Sequence, residues 1–165
     1  TSFAVAFVTE DHWLGLHVLA GYTVVALVGL RLAWGLVGTR HARFGDFVHG
    51  PRVVLAYLRD VLRGRARRYL GHNPAGGAMI VALLAGLALT AATGLLVYGA
   101  SEAAGPFAGV VGSRWAEPLE AVHEALANLT LVLAGAHVAG VLASSLLHRE
   151  NLVRAMVTGT KAREI

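Results

Sequence analysis

AVHEALANLTLVLAGAHVAG, residues 121–140, is an apolar run broken by two histidines fourteen positions apart, His123 and His137. At about 100° per residue, fourteen steps return to within about 40° of the starting azimuth, and at 1.5 Å per residue they climb about 21 Å. The two imidazoles therefore share one helical face at two depths of a bilayer-length helix. A single histidine on an apolar face is ordinarily a satisfied core residue. Two at opposite ends of such a helix need partners, because an ionisable side chain inside a membrane costs several kcal/mol unless it is paired or coordinated.

Composition supports the membrane reading. The chain of 165 residues is 56% hydrophobic and 15% charged, with a mean hydropathy of +0.61, too apolar for an ordinary soluble domain of this length. It has no cysteine, which excludes a disulfide framework, a thiolate-held cluster and a covalently attached c-type haem. The pI near 10.1 does not mark a nucleic-acid binder, because the arginines lie between apolar segments and not on a soluble basic surface.

Working outward from residues 121–140, the expected fold is an all-α membrane protein. It is a four-helix transmembrane bundle with the first helix only partly present, plus a cytoplasmic amphipathic helix, in one domain over residues 1–165. Residues 1–9 (TSFAVAFVT) are apolar but well short of the roughly 20 residues that span a bilayer, and read as the end of the first helix. They lack the basic start of a signal peptide. Transmembrane helices are expected over residues 13–37, 75–99 and 119–148, the last opened by Pro118. Residues 48–70 read as the cytoplasmic amphipathic segment, with Val53, Val54, Tyr57, Leu58, Val61 and Leu62 at helical spacing and arginines opposite, suited to anionic headgroups. Gly71-His72-Asn73-Pro74 reads as a turn before the next helix. Gly76, Gly77, Gly86 and Gly94 suit close helix contacts.

The basic residues set the orientation. Residues 38–72 carry eight arginines, and Arg149, Arg154, Lys161 and Arg163 follow the last helix, whereas Glu10, Asp11, Glu102 and Glu117 lie in the opposite connections. The positive-inside rule places the 38–72 loop and the C-terminus in the cytoplasm of a multi-pass membrane protein.

This topology runs the helices of His17 and His123 in the same direction, each with its histidine in the outer turns. Arg31 and His137 share the inner level. Two imidazoles from parallel helices can grip a b-type haem, with small residues at Gly21, Ala127, Thr130 and Ala134 leaving room for the macrocycle. Zinc would need four ligands at one level, and two are in view. Arg31 reads equally as a snorkelling cation or as the partner of a haem propionate. Glu124 and Asn128, four apart, could bond each other or a haem-site histidine, or assist a proton at a quinone site.

LHVLAGYTVVALVGLRLAWG (16–35), GTRHARFGDFVHGP (38–51), RYLGHNPAGG (68–77) and HEALANLTLVLAGAHVAG (123–140) resemble the prokaryotic cytochrome b561 family, kin of the cytochrome b subunits of nickel-iron hydrogenases. The resemblance covers essentially the whole chain. It implies four transmembrane helices holding two stacked haems b, with His17 and His123 as axial ligands of the outer haem iron and His137 as one ligand of the inner. The family's other inner ligand is a histidine near the cytoplasmic start of the first helix. Nothing matches it here, since His12-Trp13 copies the dipeptide at the wrong depth. The ligand is therefore expected to precede residue 1, with His72 as the nearby substitute if the chain is complete.

The expected function is transmembrane electron transfer between the quinone pool and a redox protein partner. Two other roles are a stand-alone quinone-linked oxidase of a small species such as superoxide and a haem-bearing anchor subunit of a larger redox enzyme. Partners are the lipid bilayer, quinone, and a redox protein or a second copy in a homodimer. No triad, phosphate loop or metal-hydrolase spacing points to bond-making catalysis.

Overall fold

A computed structural model describes residues 1–10, 12–67, 69, 71–147 and 154. The expectations for Asp11, Arg68 and the basic tail at Arg149, Lys161 and Arg163 lie outside the described residues, as does His148. Among those described, the structure is all-helical. In chain order the helices are α1 (Ser2–Thr9), α2 (Leu14–Val37), α3 (Phe44–Phe47), α4 (Pro51–Leu62), α5 (Pro74–Ser101) and α6 (Ala116–Leu147). Single 3₁₀ turns at Arg40–Ala42 and Ser113–Trp115 lead into α3 and α6.

Three helical stretches are long and apolar enough to cross a membrane: Leu14–Val37, Pro74–Ser101 and Ser113–Leu146. At 1.5 Å per residue even the shortest reaches about 36 Å, against a hydrocarbon core of about 30 Å. Their outward side chains are those of a protein solvated by lipid. Leu19, Leu30, Leu36 and Val132 are each more than 60% exposed, whereas the fully buried set includes small residues such as Ala20, Ala127 and Thr130. That inverts the pattern of a water-soluble core and suits helices that associate through close backbone approach.

The central helix is α5, which packs against α2, α4 and α6, while α1 lies against α2. It has no charged residue. Its start explains the Gly-His-Asn-Pro turn: Asn73 caps the helix by accepting from the Gly76 N–H at 2.7 Å, and Pro74 follows where no amide partner is needed. Three of its glycines are contact points. A Cβ at Gly77 would strike the Phe47 carbonyl, at Gly86 it would meet Thr130 Oγ1 at 2.7 Å, and at Gly94 it would meet His123 Cε1 at 2.9 Å. Opposite Gly86, the buried hydroxyls of Thr90 and Thr130 stand 3.3 Å apart and tie α5 to α6.

The α2–α4 connection folds back on the bundle. Phe44 fills the space beside Gly35 of α2, and Phe47, 1% exposed, seats over Gly77 of α5. The amphipathic stretch is helical over Pro51–Leu62, with Tyr57 buried and edge-on to Tyr69 at 5.7 Å. Burial, with Tyr69 beside it, pushes the Tyr57 hydroxyl above the usual tyrosine range.

Candidate haem-binding cleft

His17 sits one turn into α2 and His123 two turns into α6. Both helices run the same way along α5, so both side chains arrive at the level of the last third of α5. Each ring is fixed by a backbone carbonyl from a neighbouring helix. His17 Nδ1 lies 2.9 Å from the Ala6 carbonyl of α1, and His123 Nδ1 lies 2.9 Å from the Thr90 carbonyl and 3.2 Å from Thr93 Oγ1 of α5. A carbonyl can only accept, so Nδ1 is the donor in both rings, and in a neutral imidazole so held Nε2 is the nitrogen with the lone pair. Ala6 can supply this bond because it lies in the last turn of α1, where helix carbonyls have capacity to spare.

The two rings face each other with centroids 6.1 Å apart and planes at 79°. Two imidazoles bound through nitrogen on opposite sides of one metal, at about 2.0 Å each, put their centroids about 6.3 Å apart. The observed spacing is close to that value and also lies within the range of ordinary edge-to-face ring contacts. Among the described residues no three His, Cys, Asp or Glu side chains converge as a bare metal-ion site needs. Between α1, α2, α5 and α6 the rings open into a cleft lined by Phe3, Phe7, Tyr22, Leu87, Leu95 and Tyr98. Gly21, Gly94 and Ala127 form its small-residue walls, and Glu10 stands at its edge. In chemistry, two imidazoles beside largely apolar walls suit a flat, largely apolar group that takes nitrogen ligands. Thr130, expected near the same face, is engaged with Thr90. Glu124 and Asn128 are exposed on α6.

The other end of the bundle holds Arg31, His72 and His137. Arg31 donates from Nη1 to the Ala42 carbonyl at 3.3 Å, and its guanidinium carbon is 5.5 and 5.8 Å from the ring centres of Phe44 and Phe47. These are cation–π distances. The His72 ring lies against Phe47 at 5.0 Å. Burial, then the neighbouring Arg31 charge, holds the His72 imidazole below the usual histidine range, with His137 and His41 adding to the effect and Asp46 opposing it. Asp46 itself pairs with His41 at 3.0 Å. His137 is half-buried on α6.

The fold and this site define a helical bundle with three helices long and apolar enough to cross a membrane and a pair of neighbouring histidines at an apolar cleft. The chain belongs to the prokaryotic cytochrome b561 family, whose pattern it matches over residues 1–159. Proteins of this family bind b-type haem and serve membrane electron transfer. No curated protein and no solved structure matches the chain.

The residues that hold the histidines had escaped the sequence reading. The Ala6 and Thr90 carbonyls have no side-chain signature, and Thr93 looks like any hydroxyl in an apolar helix. Gly94, by contrast, is among the glycines that the sequence marks for close helix contacts, and its contact is the His123 ring. In an antiparallel α5–α6 pair, the glycine at the depth of His123 is where an imidazole has room to stand.

Proposed function

We propose that this protein carries electrons across the bacterial inner membrane through b-type haem, exchanging them with the quinone pool on one hand and a redox protein partner on the other. The observation that carries the reading is the pair of neighbouring imidazoles, His17 and His123, each with Nδ1 committed to a backbone carbonyl and both lining one cleft. His17 and His123 would hold one haem between them, at the outer side. Bound there, the haem supplies a one-electron iron couple.

The surrounding residues do the rest of the work. The Ala6 and Thr90 carbonyls hold each ring in one tautomer and orientation and make it a better donor, as outer-shell partners of metal-bound histidines do. Phe3, Phe7, Leu87 and Leu95 keep water from the cleft, which lowers the local dielectric constant and helps set the potential. At the inner side, His137 would help hold a second haem, and Arg31 has guanidinium donors beyond the one given to Ala42 that could meet a propionate. The arginine-rich connection and the tail then face the cytoplasm.

The test is the pyridine haemochrome of the purified protein, combined with reduction by a quinol in proteoliposomes. Protohaem bound in stoichiometric amount and reduced by quinol supports the proposal. A protein that folds and inserts but takes up no haem, or whose haem stays oxidised with quinol, overturns it.

A further inference from the structure

α4 carries four kinds of surface in sequence around its circumference. Taking Pro51 as origin and about 100° per residue, Tyr57, Val61 and Val54 fall between about 240° and 300°. Leu58, Leu62 and Leu55 follow between about 340° and 40°, and Arg59, Arg52 and Arg63 between about 80° and 120°. Ala56, Asp60 and Val53 complete the circle. The first sector faces the bundle: Tyr57 is buried, Val54 and Val61 are half-buried, and the helix packs on α5. The leucine sector next to it is open, with Leu58, Leu55 and Leu62 at 43%, 66% and 89% exposure. The arginines beside the leucines are exposed as well.

We propose that this face of α4 is docked into the surface of an anionic bilayer, with the leucine stripe at the acyl boundary and the arginine row on the phosphates of acidic lipids. The order of the sectors is what such a position demands. A helix lying at a membrane surface against its own transmembrane bundle meets protein, hydrocarbon, headgroups and water in turn. α4 presents a buried tyrosine with half-buried valines, bare leucines, exposed arginines, and a last sector of exposed Ala56, half-buried Asp60 and exposed Val53 in that same order. Charge complementarity favours acidic lipid, because residues 51–67 carry five arginines and one acid. Arg65 and Arg67, past the helix end, extend the basic stretch and are exposed. Interfacial helices sink their apolar face about 5–10 Å into the boundary, the reach of a leucine side chain plus the helix radius. The inference rests on the chain crossing a membrane and not on haem binding, so the two fail separately.

The chain has no cysteine, so single cysteines can be introduced and spin-labelled without background. The full-length protein carrying Leu55→Cys, Leu58→Cys, Ala56→Cys or Asp60→Cys is reconstituted into vesicles of phosphatidylglycerol and phosphatidylcholine, and separately into phosphatidylcholine alone. Accessibility of each label to oxygen, which partitions into lipid, is compared with accessibility to a water-soluble nickel chelate. In acidic vesicles the oxygen-to-nickel ratio at Leu55 and Leu58 should exceed that at Ala56 and Asp60 by at least about threefold. Removing phosphatidylglycerol, adding salt, or replacing Arg52, Arg59 and Arg63 together by Gln should lower it. Equal aqueous access at all four positions overturns the proposal. So does protection of the leucine positions from both reagents, the signature of a protein contact. A lipid-like ratio that ignores both the acidic lipid and the arginines overturns the assignment to anionic headgroups.

Discussion

Gly94→Ala places one methyl group where the His123 ring stands. The added Cβ would lie 2.9 Å from Cε1, 3.3 Å from Nδ1 and 3.6 Å from Nε2. Carbon atoms in contact sit at about 3.5 Å or more, so the ring must retreat from α5 by about 0.6 Å. The same ring is bonded to α5, through Nδ1 to the Thr90 carbonyl at 2.9 Å. A retreat of that size stretches the bond to about 3.5 Å, past the useful range for N–H···O. The lost bond costs about 0.5–1.5 kcal/mol, and a ligand histidine freed from its outer-shell partner typically loses about 10–100-fold in metal affinity. Helix propensity pulls the other way, since alanine favours a helix over glycine by about 1 kcal/mol. The two terms nearly cancel, so the variant should fold about as well as the parent yet bind haem more weakly. Thermal unfolding by circular dichroism gives the first quantity, and haem content with potentiometric titration gives the second. Full haem content at an unchanged potential would refute the close packing of Gly94 on His123 as the reason for that glycine.

Thr130→Val keeps the shape of a fully buried side chain but removes the hydroxyl that meets Thr90. Bonds of this kind between membrane helices contribute about 0.6 kcal/mol, so a small drop in the unfolding midpoint is expected with haem content unchanged. Gly77→Ala drives a methyl into the Phe47 carbonyl and should unseat the α3 segment, read as faster proteolysis within residues 38–50. His72 supplies a pH test. Its folded pKa lies below the unfolded value of about 6.5, so as pH falls through about 6.5 the unfolded chain takes the proton first and stability declines toward the folded pKa. Above that window His72 is neutral in both states. The decline in unfolding temperature on going from pH 7.5 to pH 5 should be shallower in His72→Gln than in the parent.

The long elements of this fold are legible because the bilayer imposes a length and a polarity that composition records. The apolar runs that became α2, α5 and α6 need no tertiary information to be seen. The depth of His17 and His123 is legible for the same reason, since parallel helices of known direction place residues at equal distances from their starts at one level. What holds the rings in place is not legible. Ala6 acts through its backbone, and any residue there would offer the same carbonyl. The seating of Phe44 on Gly35 and of Phe47 on Gly77 depends on a connection folding back on the bundle, which periodicity does not describe. Arg31 shows the limit most plainly. Snorkelling and ion pairing were equally consistent with its position, and the structure gives it a carbonyl and two phenyl rings.

The central claim is that His17 and His123 hold one and the same haem. It is tested most directly by the reduced-minus-oxidised spectra and haem contents of His17→Ala, His123→Ala and the double variant, purified side by side. The account predicts that each single variant loses the same spectral component and that the double variant loses nothing more. Loss of different components from the two single variants, or an additive loss in the double variant, would contradict it.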